Sequence, residues 1–131
     1  MRTVILASHG HLASGMKSTA EMILGEQENL KAFDAYTEPE CDVHATLENL
    51  IRQADGECIL VTDVLGGSVN KEASVFAAWP GVRVITGMNL TLVATLLTED
   101  ELPLDELVRT AIAEAQAAVQ QPELAGEEED F

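Results

Sequence analysis

The chain has 131 residues, of which 47% are hydrophobic and 23% are charged, and this composition predicts one folded domain rather than a disordered chain. Its 23 acidic side chains outnumber its 7 basic ones and give a formal net charge of −16. Such a charge repels nucleic-acid phosphates and anionic membrane surfaces, so neither is expected as a partner. The apolar runs are too short to span a bilayer, so no direct membrane insertion is expected.

The two cysteines, Cys41 and Cys58, have neither metal-binding nor redox-motif spacing, and no secretion signal precedes the first apolar run. We therefore expect reduced thiols without a disulfide. Reduced thiols are typical of a cytoplasmic protein, and this is the predicted location.

Strand and helix patterns alternate along the chain. Short apolar runs predict strands at residues 3–7, 29–36 (an edge strand), 58–61 and 82–86. Apolar residues at helical spacing predict helices at residues 14–24, 68–77, 89–98 and 104–120, and one more on the face formed by Val43, Leu47, Leu50 and Ile51, with Asp42 as its N-cap.

This alternation predicts an α/β fold: a doubly wound, mostly parallel sheet of about four strands in the order 2-1-3-4, flanked by helices. Residues 1–121 are predicted to form the domain. Residues 122–131 are predicted to be a disordered acidic tail, since they contain little to bury. Functional loops of such sheets gather beyond the carboxyl ends of the strands, where the strand order reverses. Here that point lies between the first and third strands, which places His9 near Asp63.

His9 follows the first predicted strand, and the small neighbouring Gly10 leaves room for a partner's backbone or an oxyanion beside the ring. A carboxylate that accepts a hydrogen bond from imidazole Nδ1–H fixes the tautomer and leaves the Nε2 lone pair free. Asp63 is the candidate for this carboxylate. A loop histidine taken alone is usually inert, and it is the expected pairing that favours chemistry at His9.

Asp63 opens a second motif, in which Gly66 and Gly67 permit a positive φ and a close approach to the backbone. Ser68 then presents a hydroxyl at a helix start beside unpaired N–H groups, an arrangement that favours an anion. The alternative interpretation is a tight turn followed by a helix cap. Neither the Walker A pattern nor the dinucleotide-binding glycine pattern is present, so nucleotide binding is not indicated.

Other candidates have weaker support. His11 could be a second ligand or nucleophile, but its position before a helix predicts a solvated side chain. A metal site built from His9, His11 and Asp63 has no motif support, and neither a metal nor a cofactor is expected. His44 is predicted to lie on the surface, and Cys58 is predicted to be a small core residue.

Four separate segments carry a family resemblance. VILASHG at residues 4–10, TAEMILGEQEN at 19–29, TDVLGGS at 62–68 and ITGMNL at 85–90 resemble the IIA component of the mannose family of the bacterial sugar phosphotransferase system. The resemblance implies a cytoplasmic phosphotransferase that accepts a phosphoryl group on a histidine from the phosphocarrier protein HPr. It passes the group to a histidine of a IIB component during sugar uptake, with the membrane components IIC and IID involved only indirectly.

The same resemblance implies roles for individual residues. His9 matches the phosphorylated histidine, Asp63 its orienting carboxylate and Ser68 a hydroxyl near the phosphoryl group. The glycines expected around that group are Gly10, Gly66 and Gly67, and the contacts expected at the partner-binding rim are Met88 and Asn89.

The resemblance also implies a homodimer, and one departure from the family pattern leaves the sugar open. Many relatives continue Gly-Gly-Ser with proline, a variable residue and asparagine, whereas this chain has Val69, Asn70 and Lys71. An acidic tail stands where relatives often carry a linker to a fused IIB domain, so we expect IIB to be a separate polypeptide.

Two alternative functions stay open at this point. One is the related phosphoryl-transfer subunit that serves dihydroxyacetone kinase, although its first loop usually lacks the His-Gly pair found here. The other is a regulatory phosphohistidine-binding module, in which His9 reports phosphorylation to a partner. Aspartyl phosphorylation at Asp63 is disfavoured, because Ser8 and His9 stand where the magnesium-binding acidic pair would be needed.

Overall fold

Four parallel strands form the single sheet of residues 2–124, which are the residues that the computed structural model describes. Their order is β2-β1-β3-β4, and their bounds are Thr3–His9 (β1), Leu30–Ala35 (β2), Cys58–Thr62 (β3) and Val82–Thr86 (β4). The predicted α/β class and strand order are therefore confirmed. Every pair is parallel, as expected when a helix crosses over between successive strands.

Five α-helices of the described residues cover the two faces of this sheet. They are Leu12–Leu24 (α1), Val43–Gln53 (α2), Ser68–Ser74 (α3), Leu90–Thr98 (α4) and Leu104–Ala117 (α5). Helix α2 begins at the predicted cap, since the Asp42 carboxylate accepts a hydrogen bond from the Ala45 N–H. This bond satisfies one of the N–H groups that lack a partner at a helix start.

The hydrophobic core has two halves, one on each face of the sheet. Val4 and Leu6 of β1 pack with α1, α4 and α5, whereas Ile5 and Ala7 face α2 and α3. Successive side chains of a strand point to opposite faces, so a strand that is covered on both sides must be apolar throughout. This requirement accounts for the unbroken apolar run of β1, whose residues 3–8 are buried.

Some predicted bounds are wrong. The helix predicted over 68–77 consists of α3 followed by a 3₁₀ turn, Val75–Ala78, which places Phe76 in the core. Such tightening is common at helix ends, and Pro80 prevents the helix from continuing. The edge strand ends at Ala35, because Tyr36 adopts a left-handed backbone conformation with φ 65°. Helix α1 starts two residues earlier than predicted, and α5 ends three residues earlier.

The strand register places the functional loops at one edge of the sheet. Ala7 lies opposite Thr62 of β3, and His9 lies opposite Ala35 of β2. Since β1, β2 and β3 all end here, the residues that follow them converge: Gly10 after β1, Tyr36 after β2 and Asp63 after β3. The topology alone therefore brings residues from three distant parts of the chain together.

The end of the chain is described only in part. Residues 119–124 belong to no helix or strand and are exposed. Met1 and residues 125–131 lie outside the described residues, so the predicted acidic tail stays a prediction, as does the domain limit at residue 121. Within residues 2–124, no helix has both the length and the apolar character needed to cross a bilayer.

Candidate functional site

The side chains of His9 and Asp63 meet at the carboxyl edge of the sheet. His9 is the last residue of β1, and Asp63 directly follows β3. Asp63 Oδ2 lies 2.8 Å from His9 Nδ1, and the same oxygen accepts a 2.8 Å hydrogen bond from the backbone N–H of His9. The other oxygen, Oδ1, accepts from the Val64 N–H at 2.9 Å. The carboxylate is therefore held on both of its oxygens.

These bonds determine the charge of Asp63 and the tautomer of His9. Burial alone would raise the pKa of Asp63, but the hydrogen bonds from His9 and Val64 outweigh burial and hold this pKa below its ordinary value. An ionised carboxylate can only accept hydrogen bonds, so Nδ1 of His9 carries the proton and the neutral ring keeps a lone pair on Nε2. The His9 side chain is 46% exposed and that of Asp63 only 10%. The site thus offers a nucleophilic nitrogen close to solvent.

Two hydroxyl groups extend this arrangement beyond Nε2. Ser68 Oγ lies 3.2 Å from His9 Nε2, and the Tyr36 hydroxyl lies 2.9 Å from Ser68 Oγ. The centroids of the Tyr36 and His9 rings are 5.3 Å apart. Sequence reasoning missed Tyr36, which it assigned to the edge strand. The available signal was that β2 ends at the same edge of the sheet as β1, so that the next residue is close to His9.

The three predicted glycines serve two different purposes. Gly10 and Gly66 have positive φ angles of 58° and 81°, a conformation that favours glycine. Gly67 was also expected to use such freedom, but its φ is −71°. What Gly67 provides is space, because a Cβ at this position would lie 2.8 Å from Val64 Cγ1 and 3.4 Å from His9 Cε1.

Gly67 rather than Ser68 is the N-cap of α3, and no side chain caps this helix. The alternative interpretation, a tight turn followed by a helix cap, therefore describes the backbone of this segment, and the Ser68 hydroxyl in addition contacts His9. Sequence reasoning also missed the role of Asn70, whose amide donates to Thr62 Oγ1 at 3.0 Å and accepts from the Gly66 N–H at 3.1 Å. Asn70 thereby fixes the loop between β3 and α3.

His11 belongs to a separate cluster. Its Nδ1 lies 3.0 Å from Asp34 Oδ2, and Asp34 also accepts from the Ser14 N–H at 2.9 Å and from the Ser14 hydroxyl at 2.6 Å. Burial would raise the pKa of Asp34, but the hydrogen bonds from Ser14 and His11 lower it overall. The His11 side chain is 80% exposed. It pairs with Asp34 and does not join His9 and Asp63 as a third ligand.

The remaining predicted residues have structural contacts. Asn89 is the N-cap of α4, with its Oδ1 accepting from the Leu92 N–H at 2.8 Å, and Met88 packs partly buried against the core. Both follow β4 at the edge that holds the site, and their contact with a partner stays a prediction. His44 is half exposed on α2 and stacks on Phe76, as expected of a surface position. Burial of Cys58 raises the pKa of its thiol to about 11, in keeping with the predicted core role.

Comparison with known proteins places this chain in a family. Residues 3–112 match the family model described as PTS system fructose IIA component. The mannose-specific EIIAB component of Escherichia coli K12 is 34% identical over 118 residues, which are 83% of this chain and 36% of that protein. The sorbose-specific EIIA component of Klebsiella pneumoniae is 32% identical over 130 residues, which cover 95% of this chain and 96% of that protein.

A solved structure from Klebsiella pneumoniae, described as a phosphoenolpyruvate-dependent sugar phosphotransferase system permease, has a TM-score of 0.87. It is 33% identical, and the match covers 92% of this chain and 90% of that one. The chain spans about a third of the length of the mannose-specific relatives that it matches. A match to the family model over most of its length shows that the chain belongs to the mannose-type IIA family of the sugar phosphotransferase system.

Proposed function

We propose that this protein is a cytoplasmic phosphocarrier, in which His9 Nε2 accepts a phosphoryl group from phospho-HPr and passes it to a histidine of a IIB component during sugar uptake. One observation carries the proposal: the 2.8 Å contact between His9 Nδ1 and Asp63 Oδ2, which leaves the lone pair on Nε2 of a half-exposed side chain. Family membership supports the same conclusion.

In the proposed step, the lone pair of His9 Nε2 attacks the phosphorus of the donor phosphohistidine. A new N–P bond forms while the donor's N–P bond breaks and leaves its electron pair on the donor ring. The proton stays on His9 Nδ1, and the ionised Asp63 stabilises the positive charge that develops on the imidazole. Transfer to IIB is the same exchange in reverse. Phosphoryl transfer of this kind requires positioning and charge stabilisation from the protein.

The surroundings of His9 suit a protein partner. Leu12, Val64 and Leu65 lie within a few residues of His9 or Asp63 in the chain and are 47%, 54% and 79% exposed. Exposed apolar side chains beside a reactive group are typical of a docking surface. We therefore infer that HPr and IIB contact these three apolar side chains, together with Met88 and Asn89.

The relatives do not identify the sugar, since their names include both mannose and sorbose. We propose that the sugar is recognised by the membrane components IIC and IID and that the chain forms a homodimer. Membership of the IIA family supports a role in sugar transport over the kinase-associated and regulatory alternatives. No contact of this site specifically favours either alternative.

The test is to incubate the purified protein with phosphoenolpyruvate, Enzyme I and HPr and to measure acid-labile, base-stable phosphate. The wild type should become labelled and His9→Ala should not. His11→Ala is the matched control, because His11 lies two positions after His9 and pairs with a different aspartate, Asp34, so this variant should label like the wild type. Labelling of His9→Ala at the wild-type rate would show that His9 is not the acceptor.

A further inference from the structure

Tyr36 combines two features that are unfavourable for an aromatic residue. Its φ of 65° is the only positive value of a non-glycine residue within residues 2–124. The residue is also 49% exposed, so burial does not compensate for the backbone conformation. A bulky side chain persists in the left-handed region only where its surroundings hold it there, and such residues concentrate at functional sites. The contacts of Tyr36 indicate which function this is.

The first contacts fix the residue at the end of β2. Its backbone N–H donates to Cys41 Sγ at 3.3 Å, and its ring packs beside the imidazole of His9 at a tilt of 41°. The left-handed turn directs the side chain from the edge strand, across the end of β1, toward α3. There the hydroxyl lies 2.9 Å from Ser68 Oγ.

Asp63 determines which group donates and which accepts in the hydrogen bonds that link His9, Ser68 and Tyr36. Because Asp63 accepts from His9 Nδ1, the neutral ring can only accept at Nε2, so the Ser68 hydroxyl donates to Nε2. Since the single hydroxyl proton of Ser68 is used in this bond, the Ser68 oxygen accepts a hydrogen bond from the Tyr36 hydroxyl. The hydroxyl proton of Tyr36 thus points toward Ser68 and the ring.

We propose that Tyr36 is a positioning residue for phosphoryl transfer, acting through Ser68; this inference rests on the function proposed for His9. Before transfer, Tyr36 orients the Ser68 hydroxyl against Nε2. Once the N–P bond occupies Nε2, the Ser68 hydroxyl loses its acceptor and donates to an oxygen of the phosphoryl group. The Tyr36 hydroxyl keeps its hydrogen bond to the Ser68 oxygen and so holds Ser68 in this orientation. Both residues keep their protons, and no bond of either forms or breaks.

Bonds from a hydroxyl to an anionic oxygen are stronger than those between neutral groups. Tyr36 should therefore matter more to the phosphorylated protein than to the free one. Tyr36→Phe keeps the ring and the backbone conformation and removes only the hydroxyl. We expect it to slow labelling from phospho-HPr and to shorten the lifetime of the phosphohistidine, each by about five- to tenfold.

The experiment compares Tyr36→Phe, Ser68→Ala and the double variant. If Tyr36 acts through Ser68, the double variant should label no more than about twofold more slowly than the slower single variant, because residues of one network are not additive. Thr37→Val is the matched control: it removes the neighbouring hydroxyl, which donates to the Asp34 carbonyl, and should label like the wild type. Fully additive losses would overturn the proposal.

A second measurement does not depend on phosphorylation. The ¹⁵N resonance of His9 Nε2 should move in Tyr36→Phe, since the hydroxyl bonded to this nitrogen is no longer oriented, and should stay in place in Thr37→Val. If both the resonance and the labelling rate were unchanged in Tyr36→Phe, the role of Tyr36 would be structural only and the proposal would be wrong. If the wild type itself accepts no phosphate, the function proposed for His9 fails, while the resonance still shows whether Tyr36 acts on Nε2.

Discussion

Within residues 2–124, two clusters of histidine, aspartate and serine have histidines that stand two residues apart in the chain. Only one of the two clusters has the features of the proposed transfer site. In both clusters an aspartate oxygen lies within 3.0 Å of a histidine Nδ1. The first cluster consists of His9, Asp63 and Ser68, and the second of His11, Asp34 and Ser14. They differ in the partner of the serine hydroxyl, which is the histidine in the first cluster and the aspartate in the second.

In the first cluster the serine lies next to the histidine, with Ser68 Oγ 3.2 Å from Nε2. In the second the serine bonds to the aspartate, and Asp34 also accepts the Ser14 N–H in the first turn of α1. Asp34 therefore stabilises the start of α1, and His11 is an exposed side chain that pairs with Asp34. Under the function proposed for His9, a histidine–aspartate pair alone does not define the transfer site, and the hydroxyl beside Nε2 distinguishes the first cluster from the second.

The largest difference between the clusters should appear when each aspartate is replaced by asparagine. Asp63→Asn should slow phosphoryl uptake from phospho-HPr by at least about a hundredfold, because a neutral amide no longer fixes the Nδ1–H tautomer or stabilises the charged ring. Asp34→Asn should change the rate by less than about twofold, since no group of its cluster contacts Nε2 of His9. The measurement is the initial rate of labelling. Similar losses in both variants would contradict the distinction between the clusters.

The second prediction concerns stability. Asp34→Asn should lower the free energy of unfolding by about 1–2 kcal/mol at neutral pH, because the bonds to Ser14 lose their ionised acceptor. The pKa of Asp34 is lowered in the folded protein, so its contribution is complete above the unfolded value of about 3.9 and is lost as the pH falls through the folded value. The difference between the two proteins should therefore shrink below about pH 4.

Urea unfolding at several pH values measures this difference. Asp105→Asn is the matched control, because Asp105 forms an exposed ion pair with Arg83, and it should have a much smaller effect. A difference for Asp34→Asn that stayed constant down to acidic pH would show that the charge of Asp34 does not stabilise α1.

The smallest effects should come from one glycine near each cluster. Gly15 lies inside α1, where a Cβ would meet no atom within 4 Å, so Gly15→Ala should stabilise the protein by about 0.5–1 kcal/mol. In Gly67→Ala, the new Cβ would push on Val64 and reach His9 Cε1 at 3.4 Å. We expect no stabilisation and labelling slowed by about threefold, since a displaced ring attacks less well. Wild-type labelling by Gly67→Ala would show that His9 tolerates the crowding.

Local sequence patterns were enough to predict the α/β class, the strand order and the position of His9 and Asp63 at one edge of the sheet. These follow from local patterns, because apolar runs predict buried strands, helices between them require parallel pairing, and parallel strands end at a common edge. Even the helix cap at Asp42 is local, since its partner Ala45 is three residues away.

The contacts of each polar group at that edge, in contrast, could not be predicted before the fold was known. Tyr36 bonds to Ser68 across 32 residues, and His11 pairs with Asp34 across 23, and no periodicity or motif encodes such pairs. The need for glycine at position 67 likewise depends on where the His9 ring and Val64 lie. Contacts between loops follow from the packing of the sheet and its helices as a whole, so their geometry appears only once the chain has folded.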